Sequence, residues 1–131
     1  MTQDSTAANL LALNQKLLNA IFAADWKTYE QLCDPSITCF EPEAKGHLVA
    51  GMSFHRYYFD LGASKSAINV TMAEPHVRVM GDVGVISYVR LVQKLSPEGA
   101  PITAQCEETR VWQRQGETWR HVHFHRSLPT A

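Results

Sequence analysis

Apolar residues recur every three or four positions near the start of the chain, which is the spacing of one helix face. The pattern predicts a helix over residues 6–24. Its apolar stripe consists of Leu10, Leu13, Leu17 and Ile21, widened by Leu11, Leu18 and Phe22. Lys16 is the one basic residue of this segment, so the predicted helix has no basic face.

Two shorter helices and a strand are predicted next. Asp25 can cap a helix over residues 26–33, which Asp34-Pro35 ends because proline cannot continue a helix. Residues 36–40 contain Thr and Ile and predict a short strand. After a loop, residues 51–61 predict a third helix that is rich in aromatic residues.

From residue 67 onward the apolar residues alternate with polar ones, which predicts strands. Pro75 should bend or bulge the first of them, since it lacks a backbone N–H. Turns at Gly81-Asp82 and Gln115-Gly116 and a loop over residues 96–101 separate the strands. The predicted strands are residues 67–80, 83–95, 102–114 and 117–126.

The predicted order is helix, helix, strand, helix and then four strands in a meander. This order indicates the α+β class, with the N-terminal helices packed on one face of a curved antiparallel sheet. Such an arrangement resembles the cone-shaped nuclear-transport-factor-2-like fold, also described as SnoaL-like or cystatin-like. Because no linker, repeat or low-complexity segment interrupts it, the chain is predicted to be one domain over residues 1–131, with an ordered core at about residues 6–127.

The composition argues against several classes of function. Hydrophobic residues make up 45% of the chain, and the formal net charge of −1 provides no basic excess for a nucleic-acid backbone. No apolar stretch is long enough to cross a membrane, and the polar start does not resemble a secretory signal. The three cysteines, Cys33, Cys39 and Cys106, indicate reduced thiols in a cytoplasmic protein rather than disulfides or a zinc site.

Strand parity provides the main candidate for a binding site. Residues two apart share a face of a strand, so each of the last three strands presents one arginine among mainly apolar residues. If these faces line the concave side of the sheet, Arg90, Arg110 and Arg126 approach a common pocket, with only Glu108 to offset their charge. Arginine stays charged and grips a carboxylate through two parallel hydrogen bonds, which favours a small anionic ligand. The alternative is that some of these arginines point into solvent.

Three histidines, His121, His123 and His125, alternate on the last strand, on the predicted side opposite Arg126. The spacing supplies no further ligand, so a row of interface or core histidines is favoured over a metal site. With Trp119 and Val111, His121 would form an outer sheet surface that a monomer hides with difficulty.

Enzymatic activity is the other reading of the titratable residues. Here His55, Tyr88, Glu108 or Tyr29 would supply the acid and base. No P-loop, nucleophile elbow, kinase signature or Cys/His pair with an orienting third group is evident. The sequence therefore predicts no catalytic residue, no metal and no cofactor.

Seven runs of residues carry a resemblance to a known family. They are Tyr29-Glu30-Gln31-Leu32-Cys33-Asp34-Pro35, Phe40-Glu41-Pro42-Glu43-Ala44, Phe54-His55-Arg56-Tyr57-Tyr58-Phe59, Pro75-His76-Val77, Met80-Gly81-Asp82, Ala104-Gln105-Cys106-Glu107-Glu108-Thr109-Arg110-Val111-Trp112 and Val122-His123-Phe124-His125-Arg126-Ser127. In this order they are similar to the association (hub) domain of calcium/calmodulin-dependent protein kinase II, nearly throughout the chain. The resemblance implies the cone-shaped fold, assembly into dimers that can stack as rings, and a deep pocket that accepts small carboxylates. The family's pocket residues fall on Tyr29, His55, Arg90, Arg110 and Arg126.

The chain also departs from the kinases. It begins a few residues before the first helix, which implies that kinase and regulatory segments are absent, and Lys16 alone argues against calmodulin as a partner. His121 stands where kinase hubs usually have an apolar residue, which leaves the outer contacts of the sheet and the ring size open. A stand-alone domain of this kind is typical of a bacterial relative.

The sequence therefore predicts a self-associating hub-type domain with a carboxylate pocket and no kinase activity. The alternative is an isomerase, dehydratase or hydrolase of the same fold that acts on a small anionic substrate.

Overall fold

A computed structural model describes residues 2–129, so residues 1, 130 and 131 of the predicted domain lie outside the described part. Its helices are α1 (Gln3–Phe22), α2 (Trp26–Leu32) and α3 (Ser53–Asp60), with a short 3-10 helix at Pro42–Ala44. Asp25 caps α2 as predicted, because its carboxylate accepts a hydrogen bond from the Thr28 amide. No helix among residues 2–129 is long and apolar enough to span a bilayer.

Six strands form one sheet. They are β1 (Cys33–Phe40), β2 (Val49–Ala50), β3 (Asn69–Met80), β4 (Val83–Leu95), β5 (Pro101–Gln115) and β6 (Thr118–Ser127), in the spatial order β2-β1-β6-β5-β4-β3. The predicted α+β class and the meander of the last four strands are confirmed. The fully antiparallel sheet is not, because β1 pairs parallel with β6. The first strand also begins at Cys33 instead of Ser36, and β2 was not predicted.

Helix α1 packs against the inner face of the sheet through the predicted stripe. Leu10, Leu17 and Leu18 have no exposed surface. A Cβ atom at Gly84 of β4 would lie 2.4 Å from Cδ1 of Leu10, so the absence of a side chain lets the helix approach the strand this closely.

One polar residue, Asn14, is fully buried within the same helix stripe. Its amide nitrogen donates to the hydroxyl of Tyr88 at 3.0 Å, and its amide oxygen accepts from the indole nitrogen of Trp112 at 3.0 Å. The helix is therefore joined to β4 and β5 by hydrogen bonds as well as apolar contacts. The nitrogen and the oxygen of the buried Asn14 amide both have hydrogen-bond partners.

Besides a register shift between Cys33 and Thr38, where β1 pairs with β6, two shifts interrupt the antiparallel part of the sheet. The register between β3 and β4 shifts between Ala73 and His76, beside a positive φ of 49° at Glu74, so the predicted bulge at Pro75 is confirmed. A second shift lies between Val111 and Trp112, where β5 pairs with β6.

The second bulge reverses the predicted orientation of part of β6. Trp112 lies opposite His121 and Val111 lies opposite His123, which leaves Val122 as the extra residue. His121 is therefore fully buried inside the fold, and Trp119 packs against the core. The prediction that His121 and Trp119 lie on the outer face was wrong.

Candidate functional site

A cavity of about 320 Å³ lies between the helices and the inner face of the sheet. All five residues predicted for the pocket, Tyr29, His55, Arg90, Arg110 and Arg126, line it. The remaining lining residues are Ile21, Phe22, Glu41, Glu43, Tyr58, Phe59 and Phe124. The structure thus brings the predicted residues together, although their role as ligands stays a prediction.

Arg110 lies deepest in this site, with 1% of its surface exposed. Its Nη2 donates to Oε2 of Glu108 at 3.0 Å, and its Nε lies 3.1 Å from the Tyr88 hydroxyl and 3.2 Å from Oε1 of Glu108. Burial acts to raise the pKa of Glu108, but the charges of Arg110 and Arg90 outweigh it and hold that pKa below its usual value. Glu108 is therefore an ionised partner that offsets the charge of two arginines inside the protein.

Arg90 is only partly satisfied by protein groups. Its Nη1 donates to Oε2 of Glu108 at 2.9 Å, and its guanidinium lies 5.1 Å from the ring centre of Phe22. Its Nε is buried and has no hydrogen-bond partner among the described residues. Such an unpaired buried N–H carries a free-energy cost.

Arg126 is held by two carboxylates that sequence analysis left out of the site. Its Nη2 donates to Glu43 through short contacts with both carboxylate oxygens and lies 3.5 Å from Oε2 of Glu41. The expectation that only Glu108 offsets the arginines was therefore wrong. With all groups ionised, three carboxylates balance the three guanidinium groups.

Glu41 is the carboxylate least suited to carrying a charge in this site. Burial first, and repulsion from Glu43 second, raise its pKa above the usual value. Its Oε1 is buried without a hydrogen-bond partner among the described residues. When Glu41 is protonated, the lining keeps a surplus of positive charge that an anion would neutralise.

His55 lies between a thiol and this carboxylate. Its Nε2 is 3.7 Å from the sulfur of Cys39, and its Nδ1 is 3.7 Å from Oε1 of Glu41. Burial, followed by repulsion from Arg110, lowers the pKa of His55 to about 4, so the ring is neutral at neutral pH. Sequence analysis did not predict that a thiol, an imidazole and a carboxylate lie near one another here.

This arrangement does not make an accessible nucleophile. Cys39 has no exposed surface, and burial raises the pKa of its thiol to about 12. One ligand atom from each of Cys39, Glu41 and His55 lies within 4.8 Å of the other two, a spacing compatible with the ligands of one metal ion. The thiol, however, approaches Nε2 of the imidazole and the carboxylate approaches Nδ1. The ligand atoms are therefore not directed at one position that a metal ion could occupy.

Two residues of the enzymatic alternative, Tyr88 and Glu108, lie behind the cavity wall, whereas Tyr29 lines the cavity. Tyr88 donates to Oε1 of Glu108 at 2.5 Å, and both are almost fully buried beneath Arg110. A carboxylate and a hydroxyl that bind each other and a guanidinium have no free proton site directed at the cavity. Neither Tyr88 nor Glu108 is therefore placed to exchange a proton with a group in the cavity.

A family model described as the calcium/calmodulin dependent protein kinase II association domain matches residues 6–130. The chain belongs to this family. This association domain is 46% identical over 121 residues to the delta subunit of calcium/calmodulin-dependent protein kinase type II from Oryctolagus cuniculus. The match covers 90% of this chain and 23% of the rabbit protein, so the chain spans about a quarter of its length.

Solved structures agree with this assignment. The calcium/calmodulin-dependent protein kinase II hub homology domain from Chlamydomonas reinhardtii is 53% identical, with a TM-score of 0.90 over 95% of this chain and 99% of that one. A nuclear transport factor 2-like superfamily protein from Salmonella enterica is 20% identical, with a TM-score of 0.79 over 99% of this chain and 95% of that one. The second similarity supports the fold alone, and it confirms the predicted cone-shaped class.

Proposed function

We propose that this association domain assembles with itself and that its cavity binds a small carboxylate. The observation that carries the binding proposal is the set of arginine N–H groups that the protein leaves without an acceptor at the cavity. They belong to Arg90 and Arg110, on neighbouring strands of a rigid sheet.

Counting donors on Arg110 supports this proposal. A guanidinium group has five N–H groups. The N–H group on Nε, one of the two on Nη2 and one of the two on Nη1 have acceptors in the protein. One N–H group on each terminal nitrogen is therefore left without an acceptor. Two such N–H groups form the fork that binds both oxygens of a carboxylate. Phe22, Phe59 and Phe124 line the same cavity and suit the apolar part of a small organic acid.

Calorimetric titration with acetate and other short carboxylates tests this proposal. Arg90→Ala or Arg110→Ala should weaken binding at least roughly tenfold, because each change removes a charge-assisted contact. Arg114→Ala is the matched control, since Arg114 also lies on β5 but is exposed and pairs with Asp82. If the two cavity variants bind as tightly as the control, the cavity is not the site.

The outer face of the sheet supports self-association, although with other residues than expected. Phe40 is 38% exposed, and its ring centre lies 5.5 Å from that of His125 and 6.3 Å from that of His123. Val111 lies opposite His123 on the same face. This aromatic and apolar surface is of the kind that a second copy of the chain would cover.

Light scattering and native mass spectrometry at micromolar concentration should report an oligomer. Phe40→Asp should reduce the mass of the assembly, because it places a charge in the proposed contact surface. Leu95→Asp is the control, since Leu95 is similarly exposed but lies at the end of β4. A wild-type protein that is strictly monomeric would contradict self-association.

A further inference from the structure

His121 occupies a buried position directly behind the arginine at the centre of the site. Its ring has no exposed surface and is stacked on Phe124, with centroids 5.6 Å apart and planes inclined by 18°. Its Nε2 lies 3.4 Å from Nη1 of Arg110, and its Nδ1 lies 3.4 Å from the sulfur of Cys33. Both ring nitrogens are therefore engaged, although His121 itself is not among the residues that line the cavity.

These two contacts determine where the imidazole carries its proton. A guanidinium nitrogen can only donate, so Nε2 of His121 must offer its lone pair to Arg110. In a neutral ring the other nitrogen, Nδ1, then carries the hydrogen and donates to the sulfur of Cys33. The neighbours of His121 therefore select the neutral tautomer that is protonated on Nδ1.

We propose that His121 is a positioning residue: as a neutral acceptor it fixes the rotation of the Arg110 guanidinium so that the two remaining N–H groups face the cavity as a fork. Glu108 and Tyr88 hold one edge of the guanidinium, and His121 holds the terminal nitrogen on the other side. The inference rests on the proposed carboxylate site, since it explains how the central arginine of that site is oriented.

The proposal requires His121 to stay neutral, and its surroundings favour that state. The titratable and charged groups that face it are Arg110 from β5, Cys33 from β1, His55 from α3 and its strand neighbour His123. Burial first, and then repulsion from Arg110, lower the pKa of His121 well below its usual value. Protonation of His121 would also place an N–H on Nε2, facing the donor N–H of Arg110, and would remove the acceptor of that hydrogen bond.

Two substitutions distinguish the role of His121 as a hydrogen-bond acceptor from its role in filling space. His121→Leu removes the acceptor, whereas His121→Gln can place an amide oxygen near the position of Nε2. In titrations of the full chain with acetate, the Leu variant should bind roughly tenfold more weakly, as expected for a lost hydrogen bond to a charged group. The Gln variant should stay close to wild type. Equal affinity of all three proteins, or equal loss in both variants, would overturn the proposal.

Nitrogen-15 NMR of the histidine rings in the wild-type protein provides a second readout that needs no ligand and no variant. His121 should show a neutral ring protonated on Nδ1 throughout pH 6–8. Protonation on Nε2, or a positively charged ring, would overturn the proposal even if the Leu variant failed to fold.

The guanidinium N–H signals of Arg110 separate this inference from the proposed function. If wild type does not bind acetate, the carboxylate proposal fails on its own. Slow rotation and exchange of these N–H groups in wild type and the Gln variant, with faster rotation in the Leu variant, would still support positioning by His121. Equal rotation in all three proteins would contradict it.

Discussion

Glu108→Gln is expected to lower the free energy of unfolding by about 3–5 kcal/mol, the usual loss when one partner of a buried ion pair is removed. Glu108 is 2% exposed and lies within 3.0 Å of both Arg90 and Arg110. Glutamine keeps the shape of the side chain but not its charge. Because arginine cannot release its proton, the guanidinium of Arg110 would remain charged, buried and without its counter-ion. Urea denaturation of both proteins at pH 7 measures the loss.

Asp82→Asn provides a matched control for this experiment. Asp82 and Arg114 form an equally close ion pair at 2.7 Å, but their side chains are 62% and 52% exposed. Water screens such a pair, so its loss should cost less than about 1 kcal/mol. Both variants need the same protein concentration, since self-association would add to the apparent stability. Losses of equal size would mean that Glu108 does not stabilise the buried arginines as described.

The strand meander could be predicted from the sequence because its signals are local. Alternating residues and short turns define β3 to β6, and the predicted bounds differ from those observed by at most two residues. The place of β1 could not be predicted in this way. It pairs Cys39 with Phe124, far apart in sequence, and no local pattern indicates such a parallel pairing.

The same parallel pairing explains why part of the site was missed. Glu41 and Glu43 follow directly after β1, so they reach Arg126 only because β1 lies beside β6. A carboxylate-rich run beside a proline was visible in the sequence, but nothing in it indicated the partner. Parity correctly placed Arg90 and Arg110 on the inner face, since β4 and β5 pair without interruption there.

The alternation of side chains predicted the wrong face for His121 because it assumes a regular strand. The bulge at Pro75 could be predicted, since proline cannot donate to a neighbouring strand. The bulge between Val111 and Trp112 contains no glycine or proline, so no residue type in the sequence indicates it. One extra residue turns His121 inward while leaving Phe124 on its predicted side.

Acidification from pH 7 to pH 5 is expected to lower the free energy of unfolding by about 2 kcal/mol through His55 alone. The pKa of His55 is about 4 in the folded protein and 6.5 in an ordinary histidine. Below pH 6.5 the unfolded chain therefore binds a proton that the folded protein does not, so stability is full above pH 6.5 and falls with pH. His121 acts in the same direction because its pKa is also lowered.

Two carboxylates of the site also make the free energy of unfolding depend on pH. The lowered pKa of Glu108 adds a loss of stability only below its ordinary value of 4.5. Glu41 acts in the opposite direction, because burial raises its pKa and the folded protein then gains stability as it takes up a proton. Measurements between pH 7 and pH 5 therefore exclude the loss from Glu108, whereas proton uptake by Glu41 opposes the histidine contribution.

A comparison of two variants isolates His55 from every other group that titrates. His55→Gln should remove about 2 kcal/mol of the pH-dependent loss, whereas His47→Gln, a change at an exposed histidine, should leave that loss in place. Urea unfolding at half-unit intervals of pH provides the measurement. If the wild type and both variants lose stability in parallel, His55 binds its proton as readily in the folded protein as in the unfolded chain, and it is not the buried neutral ring of the cavity wall.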